Sequence, residues 1–301
     1  MKALTYTEYG STDVLHVAAM PEPHAGPGEI RIKVAAASIN PVDWKVVAGY
    51  MAGGAPLEGP TVPGYDAAGV VDEVGEGVTG VTVGDDVFGI GAGTQAEYAV
   101  LSGWAAKPSS VDWSVAAAAP TAVETSERSF RLVGVERGQT VFVDGGAGGV
   151  GSAAVQMAVA DGITVVASAG PDNQDYLREI GAIPVLYGEG VVDRVRAAAP
   201  GGVDAVFDVA GKTPSDDLFA LAPSKDKVIS IANFGLAAEG GRVTGGDPTE
   251  RHVSEALALG ADLLQQSKLV IQVQTFPLDR AQEAYETSVS GHVRGKLVLL
   301  P

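Results

Sequence analysis

The sequence predicts an α/β protein: a doubly wound parallel sheet joined to a second, barrel-like β unit. Three observations predict it. From about Asp112 onward, strand-like and helix-like stretches alternate, which is the pattern of a parallel sheet with crossover helices. Before that point, short strands are separated by closely spaced Gly-rich turns, as in an all-β barrel. Between Thr140 and Gly151 a strand runs through a glycine cluster into an alanine-rich helix. That order is the one in which open parallel sheets build ligand sites.

Residues 1–37 alternate as strands, with turns at Tyr9-Gly10-Ser11 and along Pro21 to Gly28, and Glu29–Ala37 is the clearest strand. A polar knot, Ser38 to Lys45, leads to a short helix and then to a loose Gly/Ala/Pro loop, Gly49–Pro60. Two further strands are expected on either side of Gly75-Glu76-Gly77, and Gly84 to Gly89 turns into another. Ser114–Leu132 reads as helix interrupted by Pro120, which cannot donate a helical hydrogen bond. The alternation that follows places strands at Thr140–Val143, Thr164–Ala167, Ile183–Leu186, Ala205–Val209 and Lys227–Ile231. Helices are expected from Ser152 and around Asp175–Ile180. Strands return at Val270–Phe276 and Lys296–Leu300 around a helix at Leu278–Ser288. The expected division is therefore residues 1–112, 113–266 and 267–301, the last rejoining the first.

The glycine cluster carries the chemistry. Gly146, Gly148 and Gly151 have G-x-G-x-x-G spacing. In a dinucleotide site these serve a tight turn, a close backbone approach to pyrophosphate, and close packing of helix on strand. Ala147, Gly149 and Val150 complete the turn. The helix N-terminus then offers unpaired N–H groups to the phosphates. Spacing alone also fits an ordinary glycine-rich turn; the strand before it and the helix after it favour the dinucleotide.

Composition narrows the chemistry further. The formal net charge of −17 argues against nucleic acid or an anionic membrane as partner. An anionic cofactor must then be held by local groups. No apolar run reaches the roughly 18–20 residues of a membrane span, and the strand-like first residues point to the cytoplasm. The chain has no cysteine, so disulfides, thiolate nucleophiles and cysteine-ligated zinc are excluded. Its four histidines, His16, His24, His252 and His292, lack ligand spacing, and no metal is expected.

Several motifs, in order, resemble one family over nearly the whole chain. They are Asn40-Pro41-Val42-Asp43-Trp44-Lys45, Pro63 to Val71, Val87-Phe88-Gly89, Gly146 to Gly151, and Gly291-His292-Val293-Arg294-Gly295-Lys296. Together they are similar to the zinc-free quinone oxidoreductase branch of the medium-chain dehydrogenase/reductase superfamily. The resemblance implies a GroES-like β domain around a Rossmann domain, a homodimer, and a quinone or enone as substrate. Zinc members carry Gly-His-Glu where this chain has Gly64-Tyr65-Asp66.

In a Rossmann unit an acid ending the second strand binds the ribose 2′-OH and repels a 2′-phosphate. That strand ends here in Ser168-Ala169-Gly170, with no acid and with a hydroxyl able to donate to phosphate or simply to a turn. The resemblance puts Tyr187 beside the 2′-phosphate, and NADPH is expected over NADH, although Ser168–Gln174 holds no base and Asp172 is close. The resemblance also implies roles for Thr125 near the carboxamide and for Asn40, Lys45 and Arg294 in the site. Lys45 would polarise a carbonyl or deliver a proton, or is a solvated lysine; Asp43 orients the loop or caps the helix. Asn233 and Phe234 follow a strand at the carboxyl edge where ligands collect. Phe234 walls the acceptor pocket or packs in the core, and Tyr50, Met51 and Tyr65 could line the same apolar pocket. The expected activity is hydride transfer from NADPH to a quinone or enone. An enoyl-thioester reductase and a non-catalytic NADPH-binding sensor or structural protein are the alternatives.

Overall fold

The structure is a computed structural model that describes residues 1–245 and 247–301. In chain order the strands are β1 (Lys2–Thr5), β2 (His16–Ala19), β3 (Ile30–Ile39), β4 (Asp66–Val74), β5 (Asp86–Ala92), β6 (Tyr98–Ala106), β7 (Thr140–Asp144), β8 (Thr164–Ala169), β9 (Ile183–Leu186), β10 (Ala205–Asp208), β11 (Val228–Ser230), β12 (Arg242–Val243), β13 (Val273–Pro277) and β14 (Lys296–Leu300). The helices are α1 (Pro41–Val47), α2 (Trp113–Ala118), α3 (Pro120–Val133), α4 (Gly149–Ala160), α5 (Gln174–Glu179), α6 (Val191–Ala198), α7 (Ser215–Leu221), α8 (Val253–Gln265) and α9 (Ala281–Val289).

These elements form two compact units. The first comprises Met1–Thr121, Val253–Gln266 and Ile271–Pro301. Its strands β3, β4, β5 and β6 pair antiparallel in sequence, and β3 pairs again with β6, which closes a small barrel. Closure removes the sheet edges that would otherwise offer unpaired backbone groups. Ile30, Ile32, Val71 and Leu101 fill this barrel. β14 adds antiparallel to the far half of β3, pairing Leu297 with Ile39, and β13 lies parallel outside it. A second core of Leu4, Tyr6, Ile39, Phe276, Tyr285 and Leu299 sits there.

The second unit comprises Ala122–His252 and Ser267–Val270. Its sheet is wholly parallel in the order β12-β11-β10-β7-β8-β9. The chain runs outward from β7 to β9, then crosses back to β10 and runs outward the other way. The switch point lies between β7 and β10, where doubly wound sheets bind ligands. Both faces of the central strands are covered, so they are apolar on both sides up to their carboxyl ends: Val141, Val143 and Phe207 belong to one core cluster, Phe142, Val166 and Val206 to the other.

Some boundaries differ from the sequence expectation. α2 packs on β3 and β4, and α8 packs on β6, so both belong to the first unit rather than to the parallel sheet. Gly103 is what lets α8 approach: a Cβ there would come within 2.5 Å of Val253. Ser267–Val270 stays with the second unit because Gln156 exchanges two hydrogen bonds with the Val270 backbone, at 2.8 and 3.0 Å. The strand expected after Gly77 does not form. Gly77, Gly80 and Gly84 all take positive φ, and residues 75–85 run as successive turns. The break at Pro120 separates α2 from α3 as expected. Part of the segment 235–246 is a 3-10 turn, Phe234–Glu239, followed by β12; Gly246 lies outside the described residues.

Candidate active site

In the second unit β7 ends at Asp144, and Gly145 turns the chain with φ +97°. The tight turn therefore falls on Gly145, not on Gly146 as the spacing suggested. Gly146 is required for packing: a Cβ would meet that of Ala167 at 2.8 Å. At Gly151 it would meet the Gly145 carbonyl oxygen at 2.1 Å, so only glycine lets α4 start so close to the turn. At Gly148 the nearest atom to an added Cβ is that same carbonyl, 3.8 Å away. Packing therefore does not demand glycine there, and the open side of the backbone fits a pyrophosphate. α4 begins at Gly149, three residues before the expected Ser152, so the N–H groups of Gly149, Val150 and Gly151 stand at its N-terminus. The cradle fits a dinucleotide.

Ser168 needs correction. Its hydroxyl donates to Asp144 Oδ1 and accepts from the Gly145 N–H at 3.0 Å, while its carbonyl accepts from the Gly146 N–H at 2.9 Å. The side chain is buried and its hydrogen is taken. Ser168 braces the glycine turn and has no donor left for a phosphate. It belongs to a row in register across four strands: Ser168 on β8, Asp144 on β7, Asp208 on β10 and Ser230 on β11. Asp208 accepts from Ser230 Oγ and Gly211 N, both at 2.7 Å. Burial, seconded by the charge of Asp144, raises its pKa despite these donors. This row escaped sequence reading because its members are aligned only by strand register.

Other expected cofactor residues of this unit are placed as follows. Tyr187, 60% exposed, stands over Gly170, its ring 3.4 Å from where a Cβ would be. Arg194 holds that turn by donating to the carbonyls of Leu186, Tyr187 and Gly188. Thr125 is buried on α3. Asn233 caps the 3-10 turn, its Oδ1 accepting from the Gly235 N–H at 3.1 Å, and Phe234 is 55% exposed. That exposure sets aside a core role for Phe234. Ala147 is buried and Val150 partly so.

The first unit holds a buried polar network. Asn40 N-caps α1, and its backbone N–H donates to Asp43 Oδ2 at 2.9 Å, so Asp43 caps the helix and fixes the loop at once. Asn40 Nδ2 donates to Asp66 Oδ2 at 2.8 Å, and Asn40 Oδ1 accepts from the Lys296 ammonium. Lys296 Nζ also lies 3.6 Å from Asp66. Asp66 accepts further from Ser38 Oγ at 3.0 Å and Thr121 N at 3.1 Å. Gln95 Nε2 donates to Asp43 at 3.2 Å, while Tyr285 OH donates to Gln95 Oε1 at 2.8 Å. Asn40 is thus engaged at both ends of its carboxamide and buried. It is built into the network, which gives it a structural part in this unit.

Two acids and one ammonium share this small buried volume. Burial, reinforced by the charge of Asp66, pushes the Asp43 carboxyl up to about 7, against hydrogen bonds from Asn40 and Gln95 and the attraction of Lys296. Burial lowers Lys296, opposed by Asp66 and Asp43. Tyr65 is raised by burial and then by Asp43. Asp66, Gln95, Tyr285 and Lys296 were not foreseen as members of this network, although Asp66 and Lys296 both fall inside motifs read from the sequence.

Lys45 lies on α1, half-buried, its ammonium 5.6 Å from the centre of the Trp44 ring. Tyr50 meets Trp44 edge-on at 6.0 Å and is exposed, as is Met51. Tyr65 is partly buried beside the network, and Arg294 is exposed in the turn before β14.

Residues 26–109 match the alcohol dehydrogenase GroES-like domain, and residues 180–299 match the zinc-binding dehydrogenase family. An Arabidopsis thaliana NADPH-dependent alkenal/one oxidoreductase, chloroplastic, is 30% identical over all of this chain and 80% of its own length. The chain belongs to the quinone oxidoreductase branch of the medium-chain dehydrogenase/reductase superfamily. In this branch the quinone oxidoreductase structure from Coxiella burnetii matches with a TM-score of 0.84 and 30% identity, covering 100% and 99% of the two chains. A mycobacterial protein solved in complex with NADPH matches with 0.83 and 30%, over the whole of both. The zinc in one family name does not fit the residues here. Tyr65 stands at the histidine position and the chain lacks cysteine. Among the described residues no three His, Asp or Glu gather in a metal-holding group. No helix among them is long and apolar enough to cross a membrane.

Proposed function

We propose that the protein is an NADPH-dependent reductase of quinones or α,β-unsaturated carbonyls that works without a metal. The carrying observation is the open backbone at Gly148, flanked by glycines whose Cβ positions are blocked, at the switch point of the parallel sheet. Gly148, Gly149 and Val150 would hold the pyrophosphate, Tyr187 the adenosine end and Thr125 the nicotinamide end. When bound, NADPH supplies hydride to the β-carbon of an enone or to a quinone ring, the step for which these folds depend on their cofactor. The chain's part is to place the acceptor and to meet negative charge growing on its oxygen. Lys45 is the cation assigned to that oxygen, and Lys45 or water returns the proton. Tyr50, Met51 and Tyr65 in the first unit, and separately Phe234 in the second, would offer apolar or aromatic surface of the kind a quinone or enone requires. The relatives' activities support this reading, and family resemblance supports a homodimer, which light scattering would check.

The test is oxidation of NADPH and NADH against panels of quinones and enones. Consumption of NADPH is expected with at least one panel. Lys45→Ala should lower kcat by about 100-fold or more, the usual scale for a lost acid or charge stabiliser. Gly148→Val should raise the KM for NADPH. Turnover indifferent to both changes would sink the proposal.

A further inference from the structure

Four charged side chains of the second unit, Glu124, Arg128, Glu250 and Arg251, link up around two threonines. Glu124 and Arg128, one helical turn apart on α3, are 1% and 3% exposed. They pair in bidentate fashion, Arg128 Nε to Glu124 Oε1 at 2.9 Å and Nη2 to Oε2 at 3.2 Å. Arg251 approaches Glu124 Oε1 at 3.3 Å from the segment after β12. The third nitrogen of Arg128 donates to Thr244 Oγ1, and Thr244 donates onward to Glu250 at 2.6 Å. Arg128 Nη2 also reaches Thr125 Oγ1 at 3.5 Å.

Two consequences follow from the chemistry of these groups. A guanidinium only donates, so a threonine oxygen facing it acts as acceptor and its own hydrogen points elsewhere. Arg128 faces Thr125 in this way. The same guanidinium anchors Thr244, and the next residue, Gly245, lies against the Phe234 ring, 3.4 Å from where a Cβ would stand. One buried arginine therefore faces the Thr125 oxygen at 3.5 Å and holds the residue that precedes Gly245. A buried acid and arginine are costly to desolvate and give little net stability over an apolar pair, whereas their fixed fork geometry specifies direction.

We propose that Arg128, held by Glu124, is a positioning residue for the nicotinamide end of the cofactor, acting through the hydroxyl of Thr125. This rests on the assignment of Thr125 made above, and adds the group that orients it.

The test is a double-mutant cycle on the full chain, read as the Kd of NADPH by fluorescence titration, so that no acceptor or turnover enters. Arg128→Lys keeps a cation beside Glu124 but loses the fork. It should weaken binding about tenfold, the scale of one misdirected hydrogen bond, as should Thr125→Val. In the Thr125→Val background Arg128→Lys should add less than about twofold, because the two act as one unit. Thr244→Val, which leaves the Arg128–Glu124 pair intact, should weaken binding severalfold and be equally silent in that background. Equal losses in both backgrounds, or no loss from Arg128→Lys, would overturn the proposal. A chain that binds NADPH and passes the cycle yet reduces no quinone or enone would overturn the function proposed above and leave this inference standing.

Discussion

The glycine cradle of the second unit and the polar network of the first are built in opposite ways. The cradle uses backbone: three positions where a Cβ is blocked or φ is positive, and one, Gly148, where space is left open. The network uses side chains: Asn40, Asp43, Asp66, Gln95, Tyr285 and Lys296 are all buried and linked by hydrogen bonds. A backbone site depends on steric permission within one short turn. A buried ionic network depends on every member being present, since each charge is tolerable only while its partners remain. The first kind should respond to added atoms, the second to removed ones.

Lys296→Met should have the largest effect on stability. It leaves Asp66 and Asp43 buried without their cation, a loss of roughly 3–5 kcal/mol for a broken buried pair, read by chemical denaturation. Next comes Gly151→Val, which drives a side chain into the Gly145 carbonyl and should cost about 3 kcal/mol or more as overpacking against rigid backbone. Gly148→Val should leave the melt nearly unchanged while weakening NADPH; equal destabilisation at both glycines would break the distinction between packing and ligand positions.

Asp43→Asn sharpens the contrast through pH. The carboxyl sits at about 7 in the folded protein against an ordinary 3.8, so the native state holds its proton more tightly than the unfolded chain. Stability therefore falls as pH rises from 3.8 to about 7 and stays reduced above. Lys296 works in the other sense: its folded value is lowered, so its contribution rises with pH on approach to 10.5. The Asn variant should lose the fall between 3.8 and 7. Urea midpoints should then favour the variant over wild type more at about pH 8 than at about pH 4.5; a constant gap would refute the shift. Tyr285→Phe should be milder than the Lys296 and Gly151 changes, about 1–2 kcal/mol, because it strips one donor from the buried Gln95 side-chain carbonyl and leaves the charges paired.

Much of the second unit was legible because its signals are local. β7, the glycine turn and α4 are contiguous, and the apolar strands β8 to β11 announce a sheet buried on both faces. Even so, the turn fell on Gly145 rather than Gly146, a distinction of φ that spacing does not carry. Ser168 looked like a phosphate donor because its neighbour across the sheet, Asp144, lies 24 residues away in sequence and adjacent only in register. In the first unit, Asn40 and Asp43 stood out as a motif, yet their partners come from β4, β14, α9 and the loop before β6.

The sequence by itself determined the alternation of strands and helices, the glycine cradle, the absence of cysteine and the family pattern, since each is written in near neighbours or in composition. Only the tertiary structure decided that α2 and α8 serve the barrel unit. It alone showed that Asn40 is locked between Lys296 and Asp66, that Ser168 braces the turn, and that Glu124 is buried against Arg128 and Arg251. Hydrogen bonds and desolvation act between groups that are close in space. Chain order does not specify that closeness until strand register and helix packing have been settled.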